Sequence, residues 1–520
     1  MSRRLWPILI LLVLLGCEDE LGDSEAPSTH PLIVFAIDGA EWSAVERLWQ
    51  EGRLPHLKAL AERGVRASVG SDYQSHSPVV WTTVATGVAP EDHGIVGFVV
   101  PTDQGDRPLS SELRRAPALW NMLSERQRKV AVLGWWATWP AEAVDGVVLT
   151  DRCLLGLEGD AHPAAFRDQV LRATDELGLD DSSVDRVARR DVLVGHFARE
   201  LAGDDFDLIL AYFKMVDRSS HTYWRYFDTE SFAPLEEEQL AEHASEVPDA
   251  YAAVDAAIGR VLERAGEDVN IFVVSDHGFR PSLPPKFRIR LETEALLEKL
   301  GFLTREGSAV DLSQTRVYPW ASASAQATKL LRFAAEGREE GGTVTADQRE
   351  AIRAELEASA AKVTYESGAP VLQVRDANRN ETSRGADFVM EVLFEEPSLT
   401  ISIDGEPVEG IVTEIVPISG FHTQQDDGIL IAAGPDFRSG TTAKGISIHG
   451  LAPTILYALG LPVADDFLRD PYLELFRDAF RRSHAVRRIP SYGNRESGEA
   501  TATSADEAMV EELRQIGYVK

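Results

Sequence analysis

The sequence predicts an α/β fold in which a mostly parallel sheet is sandwiched by helices. Three observations carry that expectation. Apolar runs at 31–37 and 270–274 lead directly into aspartate-containing turns, the pattern of strands buried on both faces that feed a loop. Segments with helical spacing stand between such runs, as at 247–265, and strands alternating with helices call for parallel crossovers. With 520 residues, 44 % of them hydrophobic, the chain can bury a large core.

Taken in order, residues 1–16 read as an export signal. Arg3 and Arg4 precede an apolar stretch at 6–15 that is too short to span a bilayer. It ends in Leu14-Leu15-Gly16-Cys17, which resembles a bacterial lipobox with Cys17 as the lipidated first residue of the mature chain. The alternative is an ordinary secretory signal with an incidental cysteine. Residues 17–30 then form an acidic tether, and the protein is expected to be exported and lipid-anchored to the bacterial cell envelope, on its periplasmic or surface face. Only Cys153 is left, so the mature chain has no intramolecular disulfide, and Cys153 reads as a small buried hydrophobe.

Residues 31–280 form the first part of the core. The run at 31–37 ends in Asp38-Gly39, and a helical segment at 42–63 is split by Gly-Arg-Leu-Pro at 52–55. A helix over 79–86 follows Ser77-Pro78, with Pro78 suited to its first turn. Further strands are expected at 129–135, 208–213, 270–274 and 428–433. The stretch 281–415 differs in texture: Pro281, Pro284 and Pro285 open it, a charged helical segment spans 345–362, and strand-like pieces lie at 388–394 and 399–403. It reads as an inserted α+β region, a cap over the site. The core resumes over 416–480 with a helix at 451–459, and 481–520 is a tail, polar at 484–505, that ends in a docking helix at 508–516.

The formal net charge is −32, from 84 acidic and 52 basic residues. Such a field repels polyanions, which excludes a nucleic acid polymer as partner. A small anionic substrate must then be attracted locally, as bound cations would do.

A parallel sheet presents its chemistry at the carboxyl ends of its strands. Asp38 and the pair Asp276-His277 sit at such ends, and Asp217-x-x-x-His221 follows the strand at 208–213. Ser77 precedes a helix whose free N–H groups favour phosphate, and His422 closes the run Gly420-Phe421-His422. Singly, each has a plain structural explanation: an aspartate can cap a loop, and a buried histidine usually hydrogen-bonds. Together they supply one hydroxyl, three carboxylates and three imidazoles, the inventory of a two-metal hydrolase with an activated alcohol. Oxygen and imidazole donors suit two divalent ions, zinc with manganese as the alternative.

The chain resembles the alkaline phosphatase superfamily, in its type I phosphodiesterase/nucleotide pyrophosphatase-like branch, and within it bacterial phosphohydrolase or phosphomutase-type proteins. The residues that carry the likeness are Ile37-Asp38-Gly39-Ala40, Gly52-Arg53-Leu54-Pro55-His56-Leu57, Ser77-Pro78 with Trp81-Thr82-Thr83, Thr86-Gly87, Pro90, His93-Gly94-Ile95 and Ser275-Asp276-His277-Gly278-Phe279. Weaker matches lie at Glu336-Gly337-Arg338-Glu339 and Leu513…Ile516-Gly517-Tyr518. The resemblance implies an alkaline phosphatase-like core with two metal sites. Asp38, Ser77, Asp276 and His277 would hold one ion, and Asp217, His221 and His422 the other. Ser77 would carry a covalent phosphoseryl intermediate. His93 and His449 have no ligand role in that scheme and read as structural.

Two departures bear on substrate. Nucleotide pyrophosphatases usually have threonine at the Ser77 position, and an asparagine that helps bind phosphate where this chain has Phe98. Sulfatases of the same fold have a proline two residues and an arginine four residues after the modified residue; Val79 and Trp81 stand there instead, so the modification signal is missing. No basic residue lies close to Ser77 in sequence. The leading expectation is therefore a metal-dependent phosphoric ester hydrolase of the diesterase kind. The alternatives are a phosphotransferase or phosphomutase, and a non-catalytic lipoprotein that binds metal or phospho-ligands.

Overall fold

The computed structural model describes residues 30–510 except 72–75, 103–104, 182–183, 233–234, 308, 323–327, 378–384, 394–397 and 507–508. The export signal, Cys17 and the tether lie outside the described residues, as does all of the 508–516 docking helix except Met509 and Val510. Among the described residues no helix is long and apolar enough to cross a membrane.

The chain enters the sheet through strand β1 (Leu32–Ile37), all six residues of which are buried. Helix α1 (Trp42–Gln50) is capped by the Glu41 carboxylate, which accepts from the Ser43 and Ala44 N–H groups. Helix α2 (Pro55–Arg63) opens on its proline, so the expected break between the two helices is present. Strand β2 (Val65–Gly70) and helix α3 (Ser77–Thr86) follow. Every residue of α3 is buried, because the helix is wedged between the sheet and the late helix Leu451–Ala458. That position explains a helix without a charged residue, whose three threonine hydroxyls turn back to carbonyls of its own preceding turn. Strands β3 (Val130–Leu133), β4 (Gly146–Leu149), β5 (Leu208–Phe213) and β6 (Asn270–Val274) build the rest of the sheet with the returning strand β9 (Gly428–Ala433).

The spatial order runs β2-β9-β6-β1-β5-β3-β4, extended by short strands at both edges. β1 pairs in parallel with β5 and β6, and β3 in parallel with β5 and β4. β9 alone among the inner strands is antiparallel, to β2 on one side and β6 on the other. The mostly parallel sheet is thus observed, with one reversed strand inserted where the chain returns from the 281–415 region. Two apolar layers cover its faces. One includes α3 and Leu451–Ala458; the other is built from α1, α2 and the helices Arg186–Leu201 and Glu246–Ala265.

Two long strands, β7 (Arg280–Leu291) and β8 (Val412–Phe421), pair antiparallel and lead out of the core and back. Between them lie a four-stranded antiparallel sheet, the helix Arg349–Ala360 and a separate apolar core around Leu331, Leu356 and Phe388. Arg338 of the Gly-Arg-Glu run donates to Asp387 at 2.6 Å and to the Phe333 carbonyl at 2.9 Å, while Glu339 accepts from the Tyr318 hydroxyl at 2.9 Å. That motif therefore closes a turn in the segment between β7 and β8. Cys153 is buried and its thiol is pushed up to about 11 by burial, which leaves it inert.

Candidate active site

The carboxyl edge of the sheet brings all seven sequence-selected residues to one place. Asp38 leaves β1 into a turn that depends on Gly39, whose φ is +72°. A Cβ there would stand 2.8 Å from Phe279 and 3.1 Å from the Asp217 backbone, so glycine lets the turn approach the neighbouring loop. The Ser275 hydroxyl accepts from the Ala40 N–H at 2.8 Å and donates to the His277 carbonyl at 2.8 Å. It thereby locks the Asp276-His277 loop onto the Asp38 turn.

Ser77 is the first residue of α3 itself, which starts two residues earlier than the expected 79–86, and its hydroxyl donates to Asp38 Oδ1 at 3.3 Å. Asp217 and His221 lie four residues apart on helix α4 (Met215–Phe227), on one face of it. Asp217 Oδ1 stands 3.2 Å from His221 Nε2, 3.9 Å from His422 Nε2 and 4.0 Å from His277 Nε2. The His277 and His422 rings are stacked with centroids 3.5 Å apart.

Among the described residues two groups of donors are close enough to hold an ion: Asp217, His221 and His422, and Asp38, Asp217 and His277. Asp217 stands in both, although the resemblance assigns it to one. Asp276 falls in neither group, yet its Oδ2 lies 3.5 Å from His277 Nε2.

Donor chemistry shows that these residues fit cations. The Gly278 carbonyl lies 3.0 Å from His277 Nδ1, and a carbonyl only accepts, so Nδ1 carries the hydrogen. His277 Nε2 then points at carboxylate oxygens, 3.4 Å from Asp38 and 3.5 Å from Asp276, with no well-directed hydrogen bond to either. Asp276 Oδ2 and His422 Nδ1 are likewise buried without a hydrogen-bond partner among the described residues. His221 Nδ1 meets the Gly420 carbonyl at 3.3 Å, which turns its Nε2 toward Asp217. Ligand atoms facing one another around a common point are what a metal site requires.

Burial and the neighbouring charges shift the protonation of these groups. Burial opposes the His277 imidazolium, but Asp276, Asp38 and Asp217 outweigh it and push its pKa up to about 10. Burial, and then the charge of Asp38, raises the Asp276 carboxyl well above its usual range. Asp217 is held well below that range: burial opposes its charge, and His221 overcomes the burial. His422 is held neutral by burial and by the charges of His277 and His221.

A stability test follows. The His277 pKa is raised in the fold, from 6.5 to about 10. Its stabilisation of the metal-stripped protein is therefore complete below pH 6.5 and lost as pH rises through about 10. The melting temperature of chelator-treated protein should fall from pH 7 to 10, and the fall should be smaller with zinc present. An equal fall in both would contradict this charge balance.

Gly420 permits the close packing of β8 on α4. A Cβ there would stand 2.3 Å from the Ser220 carbonyl oxygen and 2.9 Å from Trp224 Cβ. Gly420→Ala should cost ~1–3 kcal/mol and displace the carbonyl that orients His221, which a lowered melting temperature together with weakened metal binding would register.

His93 and His449 lie outside both donor groups. The His93 nitrogens are taken by the Thr83 hydroxyl at 3.0 Å and the Ile95 N–H at 3.2 Å. Burial, then Arg114 and Arg115, hold it neutral with a pKa of about 3. It pins α3 to the following loop. Phe98 is buried at 1 % exposure, its ring 5.8 Å from that of His76 and 5.7 Å from that of Trp136.

Sequence reasoning missed Tyr212, whose hydroxyl hydrogen-bonds Asp38 Oδ2. Its only signal is a polar tip in an otherwise apolar strand, Leu-Ile-Leu-Ala-Tyr-Phe.

The model of the type I phosphodiesterase / nucleotide pyrophosphatase family matches residues 32–391. No curated protein matches the chain. Among solved structures, murine ectonucleotide pyrophosphatase/phosphodiesterase 5, as an inactive form in complex with AMP, is similar at 15 % identity and a TM-score of 0.51, covering 86 % of this chain and 100 % of that one. A second structure of the murine protein gives 14 % identity and a TM-score of 0.50 over the same shares. At these identities the likeness bears on the fold, and it agrees with the sheet and helix layers described above. With the family model spanning most of the chain and the fold in accord with it, this chain belongs to the type I phosphodiesterase / nucleotide pyrophosphatase family.

Proposed function

We propose that this protein is a two-metal phosphodiesterase that uses Ser77 as its nucleophile and acts on small phosphate esters. The observation that carries the reading is the convergence at Asp38. One of its oxygens lies 3.3 Å from the Ser77 hydroxyl and 3.4 Å from His277 Nε2, all three groups being buried. Asp38, Ser77, Asp276 and His277 are the residues we assign to one cation, and Asp217, His221 and His422 to the other. Zinc fits their oxygen and imidazole donors, and manganese is the alternative. When bound, such cations lower the pKa of a neighbouring hydroxyl and neutralise phosphate charge.

The chain's own part is positioning. Ser77 stands at the start of α3, where the dipole of a ten-residue helix favours an anion, while Pro78 has no N–H and those of Val79 and Val80 are taken by the His76 carbonyl. Its oxygen attacks phosphorus, the Oγ–P bond forms as the bond to one alcohol breaks, and the hydroxyl proton goes to solvent. Water then cleaves Oγ–P and restores the serine. In the same reading the chain is exported and held to a membrane by lipid at Cys17.

The test is turnover of bis-nitrophenyl phosphate beside nitrophenyl phosphate by full-length protein loaded with zinc or manganese. Preference for the diester supports the proposal. Monoester preference would move the reading to a phosphatase or phosphomutase. Bound metal with no turnover of either ester would point to a binding protein.

A further inference from the structure

We propose that Tyr212 is a positioning residue that confines Asp38 to binding a cation through one oxygen, and that Trp136 sets the direction of the hydroxyl that does so. The inference rests on the reading of Asp38 as a metal ligand.

Tyr212 is the fifth residue of β5, paired with Ala36 of β1, and Asp38 lies two residues beyond that partner. The ring is 1 % exposed and packed edge-on against Trp81 at 5.3 Å and Trp136 at 6.4 Å. Its hydroxyl meets two groups. Trp136 Nε1 stands 2.6 Å from it, and Asp38 Oδ2 takes its other side. An indole N–H can only donate, so it occupies a lone pair of the tyrosine oxygen. An ionised carboxylate can only accept, so the phenolic hydrogen is directed at Asp38 Oδ2. The polarity of this three-membered chain is therefore fixed by chemistry: Trp136 to Tyr212 to Asp38.

The consequence falls on the other oxygen. With Oδ2 engaged, Asp38 presents Oδ1 to Ser77 at 3.3 Å and to His277 Nε2 at 3.4 Å. The Lys214 ammonium lies 4.8 Å from the Trp136 ring centroid and the Arg190 guanidinium 5.0 Å from that of Tyr212. Both cations draw electron density from these rings and strengthen their N–H and O–H as donors. A simpler account is that Tyr212 fills the core and its hydroxyl found a convenient acceptor, as buried tyrosines do. The two accounts part on metal affinity. Core filling is nearly preserved in phenylalanine, whereas the grip on Asp38 is lost entirely.

The experiment uses full-length protein stripped with chelator and titrated with zinc against a chromophoric competitor. Wild type should bind two ions. In Tyr212→Phe one of the two should weaken by ~10–100-fold, as for loss of a partner that orients a ligand, while the other keeps its affinity. Excess zinc should restore kcat with KM unchanged. Trp136→Phe should shift the same ion in the same direction by less, and it decides the question if Tyr212→Phe does not fold. Two ions held with wild-type affinity in both variants would overturn the proposal. So would a lowered melting temperature of the stripped variants with metal affinity intact, since that is the mark of core filling. A wild type that binds no zinc at all would instead remove the metal reading of Asp38 on which the inference stands.

Discussion

Ser77→Ala is expected to abolish diester turnover, by at least ~10³-fold in kcat, the scale on which loss of a nucleophile is felt when the rest of a site still binds and polarises substrate. The substitution removes one buried oxygen and leaves α3 intact, because Ser77 does not cap that helix with its side chain: the cap residue is His76, and the N–H groups of Val79 and Val80 bond to the His76 carbonyl. Folding should thus be spared. Metal content should also be nearly spared, since Asp38, Asp217, Asp276 and the three histidines remain. The pairing of lost turnover with retained metal is the informative result. Loss of metal together with activity would let the ligand role of Ser77 account for both losses and leave its role as nucleophile without support.

Asp217→Asn should be as damaging by a different route. One Asp217 oxygen lies within 4.0 Å of the ring nitrogens of His221, His422 and His277, so a single carboxylate serves both donor groups. Asparagine keeps the shape, removes the charge and turns part of the group into a donor that repels a cation. Bound zinc should drop from two ions to one or none, and kcat/KM should fall on the order of 10³-fold, several kcal/mol of transition-state stabilisation. If Asp217 served only to pair with His221, the variant would melt lower yet bind two ions, which atomic absorption on dialysed protein would show at once.

The parts of the fold that were legible in advance are those dictated by local pattern. The run Leu-Ile-Val-Phe-Ala-Ile, buried at every residue, could only be an inner strand, and the proline at 55 had to restart a helix. The reversed direction of β9 was not legible, because a six-residue apolar strand looks the same either way. Its orientation follows from the path of the chain, which comes back to the sheet through β8. The gathering of the candidate residues was legible because carboxylates and imidazoles at strand ends are costly to bury unless they bind something. How they divide was not. Asp217 reaches both donor groups through side-chain geometry that no spacing encodes, and Tyr212 meets Asp38 only because β5 and β1 are neighbours in register.

The central claim is that Ser77 becomes covalently bonded to phosphorus during turnover. Rapid acid quench of the zinc-loaded protein with bis-nitrophenyl phosphate, followed by peptide mass spectrometry, tests it directly. The account predicts a nitrophenylphosphoryl group on the peptide containing Ser77 at early times, released nitrophenolate in step with it, and no adduct in Ser77→Ala. Full turnover with Ser77 unmodified at every time, and with no product diverted to an added alcohol, would contradict it and point to direct attack by water.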